Sequence, residues 1–333
     1  MTDRPPMGIR LLKALGKEPD WAAMSADDLA AFSAAENRKR ASRLARLVTG
    51  RPDRGAVIRW DEVRLPDRVV EVRVYRPERG ERLPLVLHVH GGGFVGTAVQ
   101  CDWANSHVAA RVPAVVVSVE HRLLAPGTTI REAADDAWDV LRHITGHPEE
   151  WDVDPTRTAV FGESAGGLMA ALVAIRARDT GLRLRAQVLV NPALDLTDAA
   201  HEYDSATRHA DCPTLTAEQM RLFRRLAAPT GARELSPLHA DHLGGLPLAL
   251  VVVPTIDPVA DHGRRYTARL RASGVPADLT EHPGATHAFL SMPGVVPQAK
   301  VARAEIAAFL RDHLQGPESA PDRSRRAGAW SRR

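Results

Sequence analysis

The apolar residues of this chain change their spacing near residue 55. Residues 7–48 carry Ala, Leu and Arg at helical intervals, and Ser25 followed by Asp28 has the form of a helix-capping pair, which predicts a helical segment. Beyond it, 57–64 and 69–76 read as strands joined across a Pro-Asp turn, with Val70, Val72 and Val74 alternating as one face of a strand requires. Short and almost wholly apolar runs follow at 85–89, 114–119, 158–161, 186–190 and 248–253. Such runs suit strands buried on both faces of a parallel sheet. Helix-like segments at 106–111, 132–144, 166–178 and 261–273 lie between them. A last strand is expected around 278–282 and a last helix at about 297–314. The pattern predicts an α/β fold: a mostly parallel, eight-stranded sheet with helices on both faces.

The alternation breaks once. Residues 195–240 show no convincing strand, and Thr216 with Gln219 forms a capping pair ahead of Met220, Leu222, Phe223 and Leu226. The expected organisation is therefore an N-terminal helical cap segment at 1–50 and a catalytic domain at 51–315. A cap insertion falls at 195–240 of that domain, and a tail follows at 316–333.

Composition changes this picture little. It is that of an ordinary globular protein, with 44% hydrophobic and 26% charged residues. The formal net charge of +3 is matched by the tail alone, where five arginines face Glu318 and Asp322. Such a tail reads as a disordered basic end rather than a nucleic-acid-binding surface. Cys101 and Cys212 are too few for a disulfide framework and lack metal-ligand spacing, so a reducing compartment fits. No apolar run suits a signal peptide or a membrane span, and the expected location is cytoplasmic, with no membrane partner.

The candidate chemistry lies at the ends of the apolar runs. Gly162-Glu163-Ser164-Ala165-Gly166 follows the run ending at Phe161 and opens an Ala/Leu-rich helical segment, the strand–turn–helix setting of an exposed nucleophilic serine. His90-Gly91-Gly92-Gly93 follows the run at 85–89, and its side-chain-free amides suit stabilisation of an oxyanion. No Lys-Ser/Thr follows, which argues against a phosphate loop, and His88 and His90 have no nearby acidic or Cys partner for a metal. A serine of this kind needs a base and a carboxylate to orient it. Asp257 is the first polar residue after 248–256 and is favoured over Asp261, which reads as a helix N-terminal charge. His287 lies on the loop after the last strand and is favoured over His282, at the strand end.

With HGGGF at 90–94, VEHRLLAP at 119–126, DPTRTAVFGESAGG at 154–167, NPALD at 191–195, SPLHAD at 236–241, DPVAD at 257–261 and HAF at 287–289, the chain resembles the bacterial hormone-sensitive-lipase-like carboxylesterases over roughly residues 7–314. The resemblance implies the α/β-hydrolase fold with a helical cap, a Ser164–Asp257–His287 triad and an oxyanion hole at Gly92, Gly93 and Ala165. It also implies hydrolysis of short to medium acyl esters without metal or organic cofactor. Phe94, Leu215, Met220, Phe223 and Phe289 are candidates for the substrate pocket, and a homodimer is a possible assembly. The chain departs from the family at His121 and at Glu163, and in a cap helix that is basic (Arg221, Arg224, Arg225) rather than aromatic. A same-fold lyase, dehydratase or cyclase is the alternative reading. A non-catalytic receptor-like protein is less favoured because the Ser, Asp and His are all present.

Overall fold

The computed structural model describes residues 4–16, 19–21 and 23–315. The tail at 316–333 lies outside the described residues, so the expectation of disorder there stays untested. The N-terminal segment forms α1 (Met7–Leu15), α2 (Ala26–Arg40) and the short α3 (Arg46–Thr49). Ser25 caps α2 in a reciprocal capping box with Asp28, as the sequence predicts.

Eight strands make one sheet: β1 (Ala56–Arg64), β2 (Val69–Pro77), β3 (Leu83–Val89), β4 (Val115–Val119), β5 (Val153–Glu163), β6 (Ala186–Val190) and, after the two short strands described below, β9 (Leu248–Ile256) and β10 (Ala277–Thr286). Their spatial order is β1-β2-β4-β3-β5-β6-β9-β10, and only β2 runs against its neighbours. The helices between them are α4 (Asp102–Arg111), α5 (Ile130–Gly146), α6 (Pro148–Trp151), α7 (Ala165–Asp179), α8 (Asp204–Arg208), α9 (Ala217–Ala227), α10 (Ala260–Ala272) and α11 (Gln298–Leu314).

The sheet separates two cores, and alternation within single strands explains both. Leu85, Leu87 and Val89 of β3 face α5, α7 and α10, whereas Val86 joins Val116, Phe161 and Val188 under α4 and α11. Each strand reads as continuously apolar because both faces are covered, and each such side chain contributes about 1.5–3 kcal/mol by leaving water.

The chain leaves β3 toward β4 and returns to β5 on the other side of β3, so the strand order reverses between β3 and β5. In open α/β sheets the crevice at such a reversal, beyond the carboxyl ends of the strands, receives ligands. Both glycine-rich motifs open there.

The segment at 195–240 departs slightly from expectation. It contains a two-residue hairpin, β7 (Asp211–Cys212) and β8 (Leu215–Thr216), ahead of α9, whose Thr216–Gln219 capping box is present. Arg224 of α9 donates to the Leu196 carbonyl at 2.7 Å and pairs with Asp198. The basic face of this helix thus fastens it to the chain that leaves β6. Leu222 and Leu226 pack on Trp21, Leu29 and Phe32, so α9 and α2 lie together over the strand ends. None of the described helices is long and apolar enough to cross a membrane.

Candidate active site

Ser164 sits between β5 and α7 at φ 58°, ψ −118°, a backbone region that costs a non-glycine residue on the order of 1–3 kcal/mol. The surroundings enforce it. Ser164 donates its N–H to the Val190 carbonyl at 2.9 Å, and a Cβ at Gly162 or Gly166 would collide with the Gly166 or the Val89 carbonyl. The turn is therefore closed to side chains on both sides, which leaves the serine hydroxyl as its exposed feature.

His287 Nε2 lies 2.7 Å from Ser164 Oγ, and His287 Nδ1 lies 2.8 Å from Asp257 Oδ2. Asp257 is fully buried at the end of β9, and its other oxygen accepts the Val259 N–H at 2.9 Å. An ionised carboxylate accepts only, so Nδ1 of a neutral His287 carries the proton and Nε2 is left to accept from the serine. The competing candidates have other partners. Asp261 accepts from the Ser205 N–H and pairs with Arg264 in the first turn of α10. His282 packs on Phe289 and lies 3.2 Å from Glu305.

The His90–Gly93 loop turns over the serine. Gly92 has φ 92°, and a Cβ there would run into the Val95 carbonyl, so only glycine fits. No carbonyl or side chain among the described residues accepts from the N–H of Gly92, Gly93 or Ala165. Ala165 is also the first residue of α7, where the helix dipole favours negative charge. The segment at 121–127, which departs from the family pattern, buttresses this loop: the His121 ring stacks on His90 at 4.1 Å, and Leu124 donates to the Gly93 carbonyl at 2.8 Å. Burial depresses the pKa of both histidines to about 4, so the stack is neutral.

Ser164 and His287 open into a cavity of ≈ 400 Å³, a size suited to a small organic ligand. Of the candidate pocket residues, Phe94, Leu215, Met220 and Phe223 line it. Phe289 does not. Ala288 adopts a left-handed conformation at φ 58°, which turns the next residue away, and Phe289 is fully buried in the core under α11.

Four residues of the site escaped sequence reasoning. Asn37 of α2 accepts the Gly96 N–H at 2.9 Å, and Gln100 donates to the Gly91 carbonyl at 3.2 Å. Arg40 donates to Gln100 at 2.9 Å, and Ser291 donates to the buried Glu163 carboxylate, whose pKa is raised by desolvation. None of these lies in a local motif. The one available signal is the repetition of polar residues, Glu36, Asn37 and Arg40, on adjacent turns of a helix expected to form a cap.

A family model described as alpha/beta hydrolase fold matches residues 86–291. The chain is 36% identical to the esterase LipI of Mycobacterium tuberculosis over 72% of this chain and 76% of that protein. It is 32% identical to an arylesterase of Saccharolobus solfataricus over 75% and 82%. The solved structure of the Pyrobaculum calidifontis esterase superposes with a TM-score of 0.80 at 30% identity, covering 93% of this chain and 98% of that one.

Proposed function

We propose, since this chain belongs to the α/β-hydrolase-fold family of carboxylesterases similar to hormone-sensitive lipase, that it cleaves carboxylic esters with Ser164 as the nucleophile. The chain is a carboxylesterase-like hydrolase.

The observation that carries it is the continuous relay from Asp257 through His287 to Ser164, at 2.8 and 2.7 Å. Ser164 Oγ attacks the ester carbonyl while His287 Nε2 takes its proton, and Asp257 holds the imidazolium that forms. The N–H groups of Gly92, Gly93 and Ala165 receive the oxyanion. The alcohol departs with the proton from His287. Water, deprotonated by the same nitrogen, then releases the acid and restores the serine. The described residues of the 1–50 segment and residues 195–240 act as the cap that closes the cavity. Its size and its Phe94, Leu215, Met220 and Phe223 walls favour short to medium acyl groups.

A panel of p-nitrophenyl esters from acetate to decanoate tests the reading with wild type and Ser164→Ala. Wild type should hydrolyse the shorter members, and the variant should lose about 10⁴–10⁶-fold in kcat. A variant that kept the wild-type rate would remove Ser164 from the mechanism. Conversion of an ester to a product without added water would move the reading to a same-fold lyase or cyclase.

A further inference from the structure

The ester chemistry leaves a cation in the helical wall of the cavity without a task. Arg40, the last residue of α2, lines the same cavity as Ser164. Its guanidinium is held by Gln100 Oε1 at 2.9 Å, and no carboxylate among the described residues stands within ion-pair distance of it. Glu36, one turn earlier and also on the cavity wall, is the strongest opposite charge in the field of Arg40, but it stands outside ion-pair distance and is engaged by Lys39 at 2.6 Å. The other charged groups on the wall are likewise occupied: Arg224 pairs with Asp198, and Asp195 accepts from Tyr203, Thr197 and His239. Glu163 lies in the field of Arg40, but its carboxylate is bonded by Ser291 and its burial favours the neutral form. Burial lowers the Arg40 pKa, yet an arginine keeps its proton in a protein. A partly buried guanidinium on a cavity wall, with one neutral hydrogen-bond partner, has donors left for an anion, and its planar fork matches a carboxylate.

We infer that Arg40 forms an anion subsite of the active-site cavity and that the preferred substrates are esters bearing a carboxylate, bound with the ester carbonyl at Ser164 and the carboxylate on Arg40. This rests on the serine-esterase reading above. Gln100 is the positioning residue: it accepts from Arg40 through one end of its amide and donates to the Gly91 carbonyl through the other.

The test compares charged esters with their neutral counterparts at neutral pH, in wild type, Arg40→Gln and Arg40→Lys. Monoethyl succinate, glutarate and adipate, against the diethyl esters, place the carboxylate on the acyl side. Acetoxyacetate and 3-acetoxypropionate, against their methyl esters, place it on the alcohol side. Wild type should favour the charged member in at least one series. The charged-to-neutral ratio of kcat/KM should fall about tenfold or more in Arg40→Gln, the scale of a lost charge-assisted bond, and recover in part in Arg40→Lys. A wild type without preference in either series overturns the subsite while leaving the esterase intact. So does an Arg40→Gln variant that slows charged and neutral esters alike, which would make Arg40 a counter-ion to Glu163. A wild type inactive on every ester would overturn the parent reading instead.

Discussion

The two walls of the cavity differ in how their residues meet. On the sheet side, Gly92, Ser164, Asp257 and His287 each follow closely on the end of a strand, β3, β5, β9 and β10. The parallel register of the sheet brings those ends together, and the main chain alone aims the hydroxyl and the amides. On the helical side, Leu29 and Phe32 of α2 pack with Leu222 and Leu226 of α9, almost two hundred residues away, and so bring Phe32 and Arg40 to the same cavity as Met220 and Phe223. In the proposed mechanism the first wall carries the chemistry and the second faces the ester. Changes to the sheet wall should therefore depress turnover for all esters alike, and changes to the helical wall should reorder the esters.

The largest effect that would test this separation is expected for Asp257→Asn. The relay keeps its shape, but an amide N–H facing His287 holds the imidazole in the wrong tautomer, and kcat should fall about 10³–10⁴-fold with KM little changed. Steady-state kinetics across acyl lengths checks it. A loss confined to long acyl chains would erase the distinction between the walls. Gly92→Ala should follow, with about 10²–10³-fold lost from kcat, because the new Cβ meets the Val95 carbonyl and displaces one oxyanion donor.

Acid should weaken the sheet wall next. His90, His121 and His262 are neutral in the fold because burial lowers each pKa to about 4, against 6.5 for the ordinary group. As pH falls from 6.5 to 4, the unfolded chain takes up protons that the folded chain refuses. The stability held by these neutral imidazoles is thus lost over that window, and only their contribution levels off below it, at about 3 kcal/mol or less each. Calorimetric Tm should drop steeply between those limits, and a flat Tm would contradict the buried, neutral assignment.

The smallest effect is expected for Phe223→Ala in the helical wall. It should raise kcat/KM for octanoate relative to acetate by about tenfold, as a few methylenes gain room. An equal change for both esters would mean that Phe223 only supports the loop at Gly93, where a Cβ would touch its ring.

The same division decides what was legible beforehand. Ser164, Gly92, Gly93, Asp257 and His287 could be read because each occupies a fixed place relative to an apolar run, and the runs mark the strands. The choice of His287 over His282 followed from loop against strand end, and the structure places only the first beside Ser164. Phe289 is misplaced by the sequence pattern, because an aromatic two residues beyond His287 looks like pocket lining, whereas the left-handed Ala288 redirects it into the core. Asn37, Arg40 and Gln100 were invisible because their roles exist only once α2 lies across the His90–Gly93 loop. Helix existence can be read from the capping pairs at Ser25 and Thr216. Where a helix docks, and what its polar side chains then touch, depends on the whole fold.

In the proposed mechanism a single serine, activated through His287, carries the acyl group. Titration with diethyl p-nitrophenyl phosphate, followed by intact-mass and peptide mapping, tests it most directly. The account predicts one phosphoryl group per chain, located on Ser164, with esterase activity lost in proportion and no labelling of Ser164→Ala. Full activity in a chain labelled at Ser164, or inactivation by a label on another residue, would contradict it.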